Sequence, residues 1–382
     1  MTDRQRGEAG LTGSSIARIE VFGYTLTYAH GTYVMSSGRV VDSLPSTVVR
    51  VETNDGHVGF GESCPLGPTY LPAFAGGARA ALAELAPALI GVEATNLAAI
   101  WAHMDSALRG HEYAKSAIDI ACWDILGKVS GLAVADLLGG KLQSELPLYV
   151  AVPMASPAEM ANFVERERLS GIHRFQLKLG SDPELDCARA AAIVAATGSE
   201  DAVIADANGG WRRQDAILAV RRLEHMERIL VEQPCPTLEE CLAVRHLTTL
   251  PMVLDEVIVD LGTLTRAISL DAMDHVNLKL GRVGGLSKAR IMRDAAIELG
   301  IRLTIEDSWG GDLTTAAVSQ LAAGVPADGL FAVSYMNDWT KEHIAGYHPR
   351  SDHGVGRVPT GPGLGVTVDQ ERLGRPLFTA AG

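Results

Sequence analysis

The sequence predicts a (β/α)7β barrel, a modified TIM barrel of the α/β class, fronted by an N-terminal α+β capping domain. Two observations carry that prediction. From Leu146 onward, short apolar runs alternate with amphipathic stretches at a period of roughly 25 residues, the length of one strand–helix unit of such a barrel. Before Leu146 the order differs, with strands first and helices after them, as in a separate layered domain.

Residues 1–15 are polar and glycine-containing with no apolar stretch, so they are expected to be a disordered tail and not a signal peptide. Residues 16–141 form the expected capping domain. Ile16–Leu26, Thr47–Glu52 and Val58–Glu62 are rich in β-branched residues, and Asn54-Asp55-Gly56 marks a tight turn between the last two. Ala75–Ile90 is rich in alanine and leucine and reads as a helix. Lys115–Ser130 places Ile118, Cys122 and Ile125 at helical spacing and stops at Gly131.

Residues 142–339 form the expected barrel. Its eight runs are Leu148–Val152, Arg174–Leu177, Ala202–Ala205, Ile229–Val231, Met252–Leu254, His275–Leu278, Leu303–Ile305 and Leu330–Val333. Seven helical patterns lie between them, Pro157–Arg168, Asp182–Ala196 and Leu286–Leu299 being examples, which implies parallel pairing through right-handed crossovers. Residues 340–382 are punctuated by Gly361-Pro362-Gly363 and are expected to return to the capping domain. A doubly wound sheet is the rival fold.

The chain has 382 residues, 47% hydrophobic and 21% charged, enough apolar surface for a large core. A net charge of −13 argues against nucleic acid or an anionic membrane as partner. The apolar runs all fall short of the roughly 18 residues of a membrane helix. Five cysteines without a C-x-x-C pair point to reduced thiols in the cytoplasm.

A charged residue follows each of six successive runs: Lys178, Asp206, Glu232, Asp255, Lys279, and Glu306 with Asp307. In a barrel these strand ends converge on one rim, where active sites are built. One such charge is an ordinary solvated loop residue; six in succession are not. Asp206, Glu232 and Asp255 supply three hard oxygen ligands from adjacent strands, as an octahedral Mg²⁺ site needs, with positions left for a substrate carboxylate. The set contains no histidine or cysteine, which disfavours zinc. Asn208 and Glu256 either orient these ligands or cap the next helices. Lys178 and Lys279, on strands two and six, face each other across the substrate. A lysine is a base near neutrality only with its pKa lowered to about 7–8, and a divalent cation and a second ammonium both push it down. The expected chemistry, matched to a known lysine-plus-Mg²⁺ pattern, is removal of an α-proton from a small carboxylate, with the metal stabilising the ene-diolate.

The segments FQLKLG, VIADANGGW, LVEQPC, VLDE, NLKLGRVGGLSKAR and TIEDSWGG resemble the muconate-lactonizing subgroup of the enolase superfamily, within the mandelate racemase/muconate lactonizing enzyme family. The resemblance covers nearly the whole chain, including Lys115–Gly140. It implies the lysine-plus-Mg²⁺ arrangement familiar from enolase-superfamily sites, with Lys178 and Lys279 catalytic and Asp206, Glu232 and Asp255 on the metal. It also implies a symmetric homo-oligomer, an octamer or a dimer. The strand-two motif of the family is commonly Lys-x-Lys, whereas here Gln176 stands in its first position.

In this superfamily the first domain closes over the barrel mouth, and the corresponding loop here is Gly61–Phe74. Cys64–Tyr70 and Asp307–Asp312 are similar to members acting on proline derivatives, namely cis-3-hydroxy-L-proline dehydratases and hydroxyproline-betaine 2-epimerases. Tyr70 and Trp309 are expected as aromatic walls around a cationic ring nitrogen, with Asp307 or Glu306 as counter-charge. The alternative for Trp309 is packing of the barrel mouth. Dehydration of cis-3-hydroxy-L-proline to the cyclic imine is the leading expectation and 2-epimerisation of a proline derivative the second. Muconate cycloisomerisation and dipeptide epimerisation are remoter, and a non-catalytic scaffold is at odds with retention of all five core residues.

Signatures of other chemistries are missing from the sequence: no G-x-S-x-G elbow, phosphate loop or H-E-x-x-H helix occurs. Gly284-Gly285 reads as a tight turn more than an anion cradle. His103, His111, His173, His225 and His275 show no ligand spacing, and Lys115 and Asp119 read as domain packing.

Overall fold

The computed structural model describes residues 13–382, so residues 1–12 of the expected tail lie outside the described residues. Residues 14 and 15 depart from the tail expectation. Ser14 is buried and its hydroxyl donates to Asp55 (2.8 Å), and the Ser15 carbonyl accepts from Asn54 N–H (2.9 Å). Bonds to the neighbouring turn fix the chain just before the first strand.

The β-branched runs form an antiparallel sheet of β1 (Ile16–Thr27), β2 (Ser43–Thr53) and β3 (Val58–Ser63). The turn between β2 and β3 uses Gly56 at φ +87°, a left-handed conformation natural to glycine. Helices α1 (Ala75–Leu89), α2 (Leu97–Ala107) and α3 (Glu112–Ser130) pack against the sheet. Helix α3 approaches very closely because Gly61 has no side chain: a Cβ there would lie 2.0 Å from the Ala117 carbonyl oxygen.

The barrel strands are β4 (Val150–Val152), β5 (Arg174–Lys178), β6 (Ala202–Asp206), β7 (Ile229–Glu232), β8 (Met252–Leu254), β9 (His275–Lys279), β10 (Arg302–Glu306) and β11 (Leu330–Val333). Neighbours pair in parallel and in sequence order, and a parallel bridge between Leu148 and Val333 closes the ring. The crossovers are α4 (Pro157–Leu169), α5 (Pro183–Ala196), α6 (Arg213–Leu223), α7 (Leu238–Arg245), α8 (Leu261–Ser269), α9 (Leu286–Glu298) and α10 (Asp312–Ala322). Local chemistry starts several of them. Ser156 and Glu159 form a capping box ahead of α4, and Asp182 caps α5 with Pro183 behind it. A closed ring rules out the doubly wound rival.

Strand β12 (Phe378–Ala381) then pairs antiparallel with β1, giving the order β12-β1-β2-β3. The cap and barrel meet at Gly285, where a Cβ would lie 2.6 Å from Asp119 Oδ2, so the Gly284-Gly285 pair serves a close approach. The Asp119 carboxylate accepts from Ser287 N–H at the start of α9 (3.0 Å), while Lys115 pairs with Asp105 (2.7 Å). Among the described residues, no helix is long and apolar enough to cross a membrane.

The barrel register sets up the site. Lys178 and Asp206 are Cα partners, as are Asp206 and Glu232, and Lys279 and Glu306. These charges stand in one layer at the C-terminal rim because each closes its strand.

Candidate active site

Strand alternation points every second side chain into the barrel, and residues two places before the rim charges hold them. Gln176 donates to both oxygens of Glu232 (3.0 and 2.9 Å), and Asn277 donates to its Oε1 (2.7 Å). Lys178 Nζ donates to Asp206 Oδ2 (2.5 Å) and Lys279 Nζ to Asp255 Oδ2 (2.7 Å). Arg282 donates to Asp255 Oδ1 from the other side (2.7 Å). Asn208 donates to Asp206 (2.9 Å) and Glu256 (3.1 Å), and the caps of the next helices are Arg212 and Asp260, so Asn208 and Glu256 orient neighbours and cap nothing. All of these rim carboxylates except Glu256 are fully buried.

Burial and crowding set the electrostatics. Burial raises the Glu232 pKa, and the charges of Asp206 and Asp255 add to it, leaving it well above the carboxylate range. Burial also raises Glu256, with Asp255 and Asp206, to about 7. At Asp255 burial is outweighed by Arg282 and Lys279, which hold it below its usual range. Burial opposes the Lys178 ammonium, but Asp206, Tyr33 and Glu232 outweigh it and its pKa lies above the ordinary value. Lys279 is likewise raised, by Asp255 and Glu306 against burial. Protein groups alone therefore do not produce the lowered lysine expected from sequence; the facing ammonium is too weak an opponent for a carboxylate in direct contact.

The donor set suits a hard divalent cation. Three buried carboxylates stand on adjacent strands, with Asp206 and Asp255 flanking Glu232, whose burial favours either a proton or a cation, and the nearby Asn208 Oδ1 and Glu256 Oε2 are buried without a hydrogen-bond partner. Their ligand atoms are nevertheless not gathered as tightly as a metal cluster. Among the described residues, His173, Glu200 and Asp201 are the group whose ligand atoms all lie within 4.8 Å of one another. Asp206 and Asp255 are instead drawn toward Lys178 and Lys279. The other trio sits at the opposite end of the barrel and is already neutralised. Asp201 Oδ1 pairs with His173 (2.7 Å), while its Oδ2 accepts from Gly198 N–H (2.7 Å) and lies 2.6 Å from Arg168.

The groups expected to touch substrate divide. Tyr70, Trp309, Glu306, Lys178 and Lys279 line one cavity of about 20 Å³, with Tyr33, Tyr149 and Trp339 beside them. That space holds about one water. The Tyr70 hydroxyl donates to Asp255 (3.0 Å) and accepts from Lys279 (3.0 Å), so the Gly61–Phe74 loop closes over the rim. Trp309 packs edge-on against Tyr28, Tyr33 and Trp339, so it both walls the cavity and fills the barrel mouth. Asp307 also borders the cavity, and its oxygens accept from Gly281 N–H (2.8 Å) and Ser308 N–H (2.7 Å), bonds that tie it to the rim loops. Sequence reasoning missed Asn277, Arg282, Tyr149 and Tyr33. Asn277 was findable, since it stands two residues before Lys279 as Gln176 does before Lys178.

Comparison with known proteins agrees with this architecture. The mandelate racemase/muconate lactonizing enzyme N-terminal domain matches residues 21–139, and the enolase C-terminal domain-like family matches residues 159–372. The chain is 44% identical over 362 residues to a cis-3-hydroxy-L-proline dehydratase of Roseibium aggregatum, covering 95% of this chain and 98% of that one. It is 29% identical to an N-succinyl-L-Arg/Lys racemase of Bacillus cereus, over 89% and 92% of the two. A crystal structure of an enolase-superfamily member from Roseovarius nubinhibens ISM, complexed with magnesium, superposes with a TM-score of 0.89 at 35% identity, over 96% of this chain and 99% of that one. Two lysines flanking three successive carboxylates at the rim of a capped barrel, matched along almost its full length, place the chain in the enolase superfamily, in its mandelate racemase/muconate lactonizing enzyme branch.

Proposed function

We propose that the protein is a hydro-lyase that dehydrates cis-3-hydroxy-L-proline to pyrroline-2-carboxylate. The observation that carries this reading is the pair of lysines on strands two and six of eight, opposite one another around a single buried cavity. It is supported by the 44% identity to a protein of that activity. In the cis isomer the hydroxyl and the carboxylate share a face of the ring, so the α-hydrogen lies on the other. Loss of water then takes a base on one face and an acid on the opposite one, and two facing lysines supply both.

One lysine, as the neutral amine, takes the proton from C2. The C2–H electron pair forms the C2=C3 bond as C3–O breaks, and the other lysine, as the ammonium, donates its proton to the departing hydroxyl. The enamine product moves a proton from nitrogen to C3 and becomes the imine. Asp206, Glu232 and Asp255 would hold Mg²⁺, with Gln176 and Asn277 fixing Glu232 and Arg282 bracing Asp255. When bound, that cation supplies the positive charge that offsets negative charge building on the substrate carboxylate. Tyr70 covers the site and excludes water, and a cavity of about 20 Å³ requires its loop to move before substrate enters.

Incubation with Mg²⁺ and cis-3-hydroxy-L-proline, followed by proton NMR, is expected to show loss of water and the imine; no imine overturns the reading. Epimerisation of a proline derivative is the second reading, because opposed lysines also serve a one-base-out, one-base-in exchange. In D₂O it gives an α-deuterated epimer with the skeleton intact.

A reducing, cytoplasmic setting accords with five buried free cysteines. A symmetric homo-oligomer accords with exposed Phe74, Leu261 and Ile291 around a cavity of about 930 Å³ on the outer cap–barrel junction. Light scattering after size exclusion tests the latter, and a monomer rejects it.

A further inference from the structure

The cavity holds one carboxylate that neither the proposed metal set nor the loop scaffold uses. Glu306 ends β10, is 1% exposed, and lines the cavity with both lysines. Its Oε2 accepts from the Tyr149 hydroxyl. Its Oε1 is buried without a hydrogen-bond partner; Lys279 Nζ lies 3.3 Å away, an ion-pair contact without hydrogen-bond geometry. A buried acceptor left open toward a cavity is costly unless a ligand completes it. Asp307, the other acid at this rim, already has a backbone N–H donor on each of its oxygens, unlike Glu306 Oε1.

We propose that Glu306 seats the substrate's ring ammonium and thereby selects cyclic amino acids whose nitrogen keeps a hydrogen over their N,N-dimethyl betaines. This deepens the reading above, since it rests on a proline-type carboxylate as substrate. The aromatic walls, Tyr33 against Trp309 at 5.3 Å between centroids and Trp309 against Trp339 at 5.8 Å, favour any cation and do not discriminate between these. A carboxylate oxygen does discriminate. It receives a short charge-assisted N–H···O bond from a secondary ammonium and none from a quaternary nitrogen, whose methyl groups also hold the charge away. Tyr149 holds Oε2, which leaves Oε1, beside Lys279 Nζ in the cavity wall, as the acceptor for the ligand.

The test reads binding and exchange apart from dehydration. With Mg²⁺ present, affinity for L-proline is compared with that for cyclopentanecarboxylate, which lacks the amine, and α-deuterium exchange in D₂O is followed for L-proline and proline betaine. Wild type is expected to prefer L-proline by roughly 10–100-fold and to exchange it faster than the betaine. Glu306→Gln is expected to erase both preferences, with the loss falling on KM, while retaining its Mg²⁺-induced thermal shift. Tyr149→Phe keeps the carboxylate and is expected to retain most of the preference. The proposal is overturned if Glu306→Gln keeps the wild-type preference, or if wild type takes the betaine as readily as L-proline. Should Glu306→Gln not fold, the wild-type comparison alone decides. If Glu306-dependent exchange of L-proline occurs but cis-3-hydroxy-L-proline yields no imine, dehydration fails and this assignment stands. If neither L-proline nor the betaine binds or exchanges and no imine forms, both fail.

Discussion

The two ends of the barrel each carry a knot of carboxylates and cations, and they differ in what the knot leaves unsatisfied. At the N-terminal end, His173, Glu200 and Asp201 lie close enough to hold a metal ion, yet His173 and Glu200 side chains are 45% and 54% exposed and Arg168 already neutralises the group. At the C-terminal end the acids are more widely spread, but they are buried, and polar atoms of Asn208, Glu256 and Glu306 lack partners. Water and an arginine complete the first knot. Only something brought in from outside completes the second, so proximity of acids is a weaker mark of a site than burial combined with open hydrogen-bonding capacity.

The sharpest way to break this contrast is to remove the buried groups. Lys178→Ala and Lys279→Ala are each expected to lower kcat by about 10²–10⁴-fold with the far-ultraviolet circular dichroism unchanged. Glu232→Gln should abolish the rise in melting temperature that Mg²⁺ produces in wild type, because a ligand stabilises only a fold that binds it. A smaller effect is expected one layer down: Gln176→Ala removes a donor from each Glu232 oxygen, leaving Asn277 on Oε1, and should weaken Mg²⁺ binding roughly 10–100-fold, measured by calorimetry.

At the other end the expected effects concern stability. Burial, with Arg302, lowers the His275 pKa from 6.5 to about 4. Between those values the unfolded chain binds a proton that the folded one does not, so stability falls as pH drops through that window and is full above it. Denaturant titrations of His275→Phe should show a flatter profile there, by about 1–3 kcal/mol at most. The smallest change is expected from His173→Ala, which removes a half-exposed ring from Asp201 while Arg168 and Gly198 N–H stay on it, a loss of about 1 kcal/mol. It should leave turnover and Mg²⁺ binding as they are; a lost thermal shift would move the metal to the wrong end of the barrel.

Much of this was legible because strand ends are marked twice in the sequence, by the stop of an apolar run and by the charge that follows it. Lys178, Asp206, Glu232, Lys279 and Glu306 turned out to be the last residues of their strands, so chain position translated directly into one layer of the rim. Helix α2 was marked at its start alone, by the Asn96 cap that accepts from Ala99 N–H, with no glycine or proline directly after Ala107 to mark its end. Tyr33 and Tyr149 reach the cavity from a cap segment and from just before the first barrel strand, contacts made by folding alone. The same holds for Asp307, where a strand-end acid looked like its neighbours until the backbone N–H groups of Gly281 and Ser308 were placed around it.

Strand β12 has a consequence for how the protein is made. The lid over the reaction is a sheet whose edge is supplied by Phe378–Ala381, far downstream of every barrel strand. Every barrel strand is therefore synthesised before the residues that complete the capping sheet, so the edge of that sheet is the last of these parts to be made.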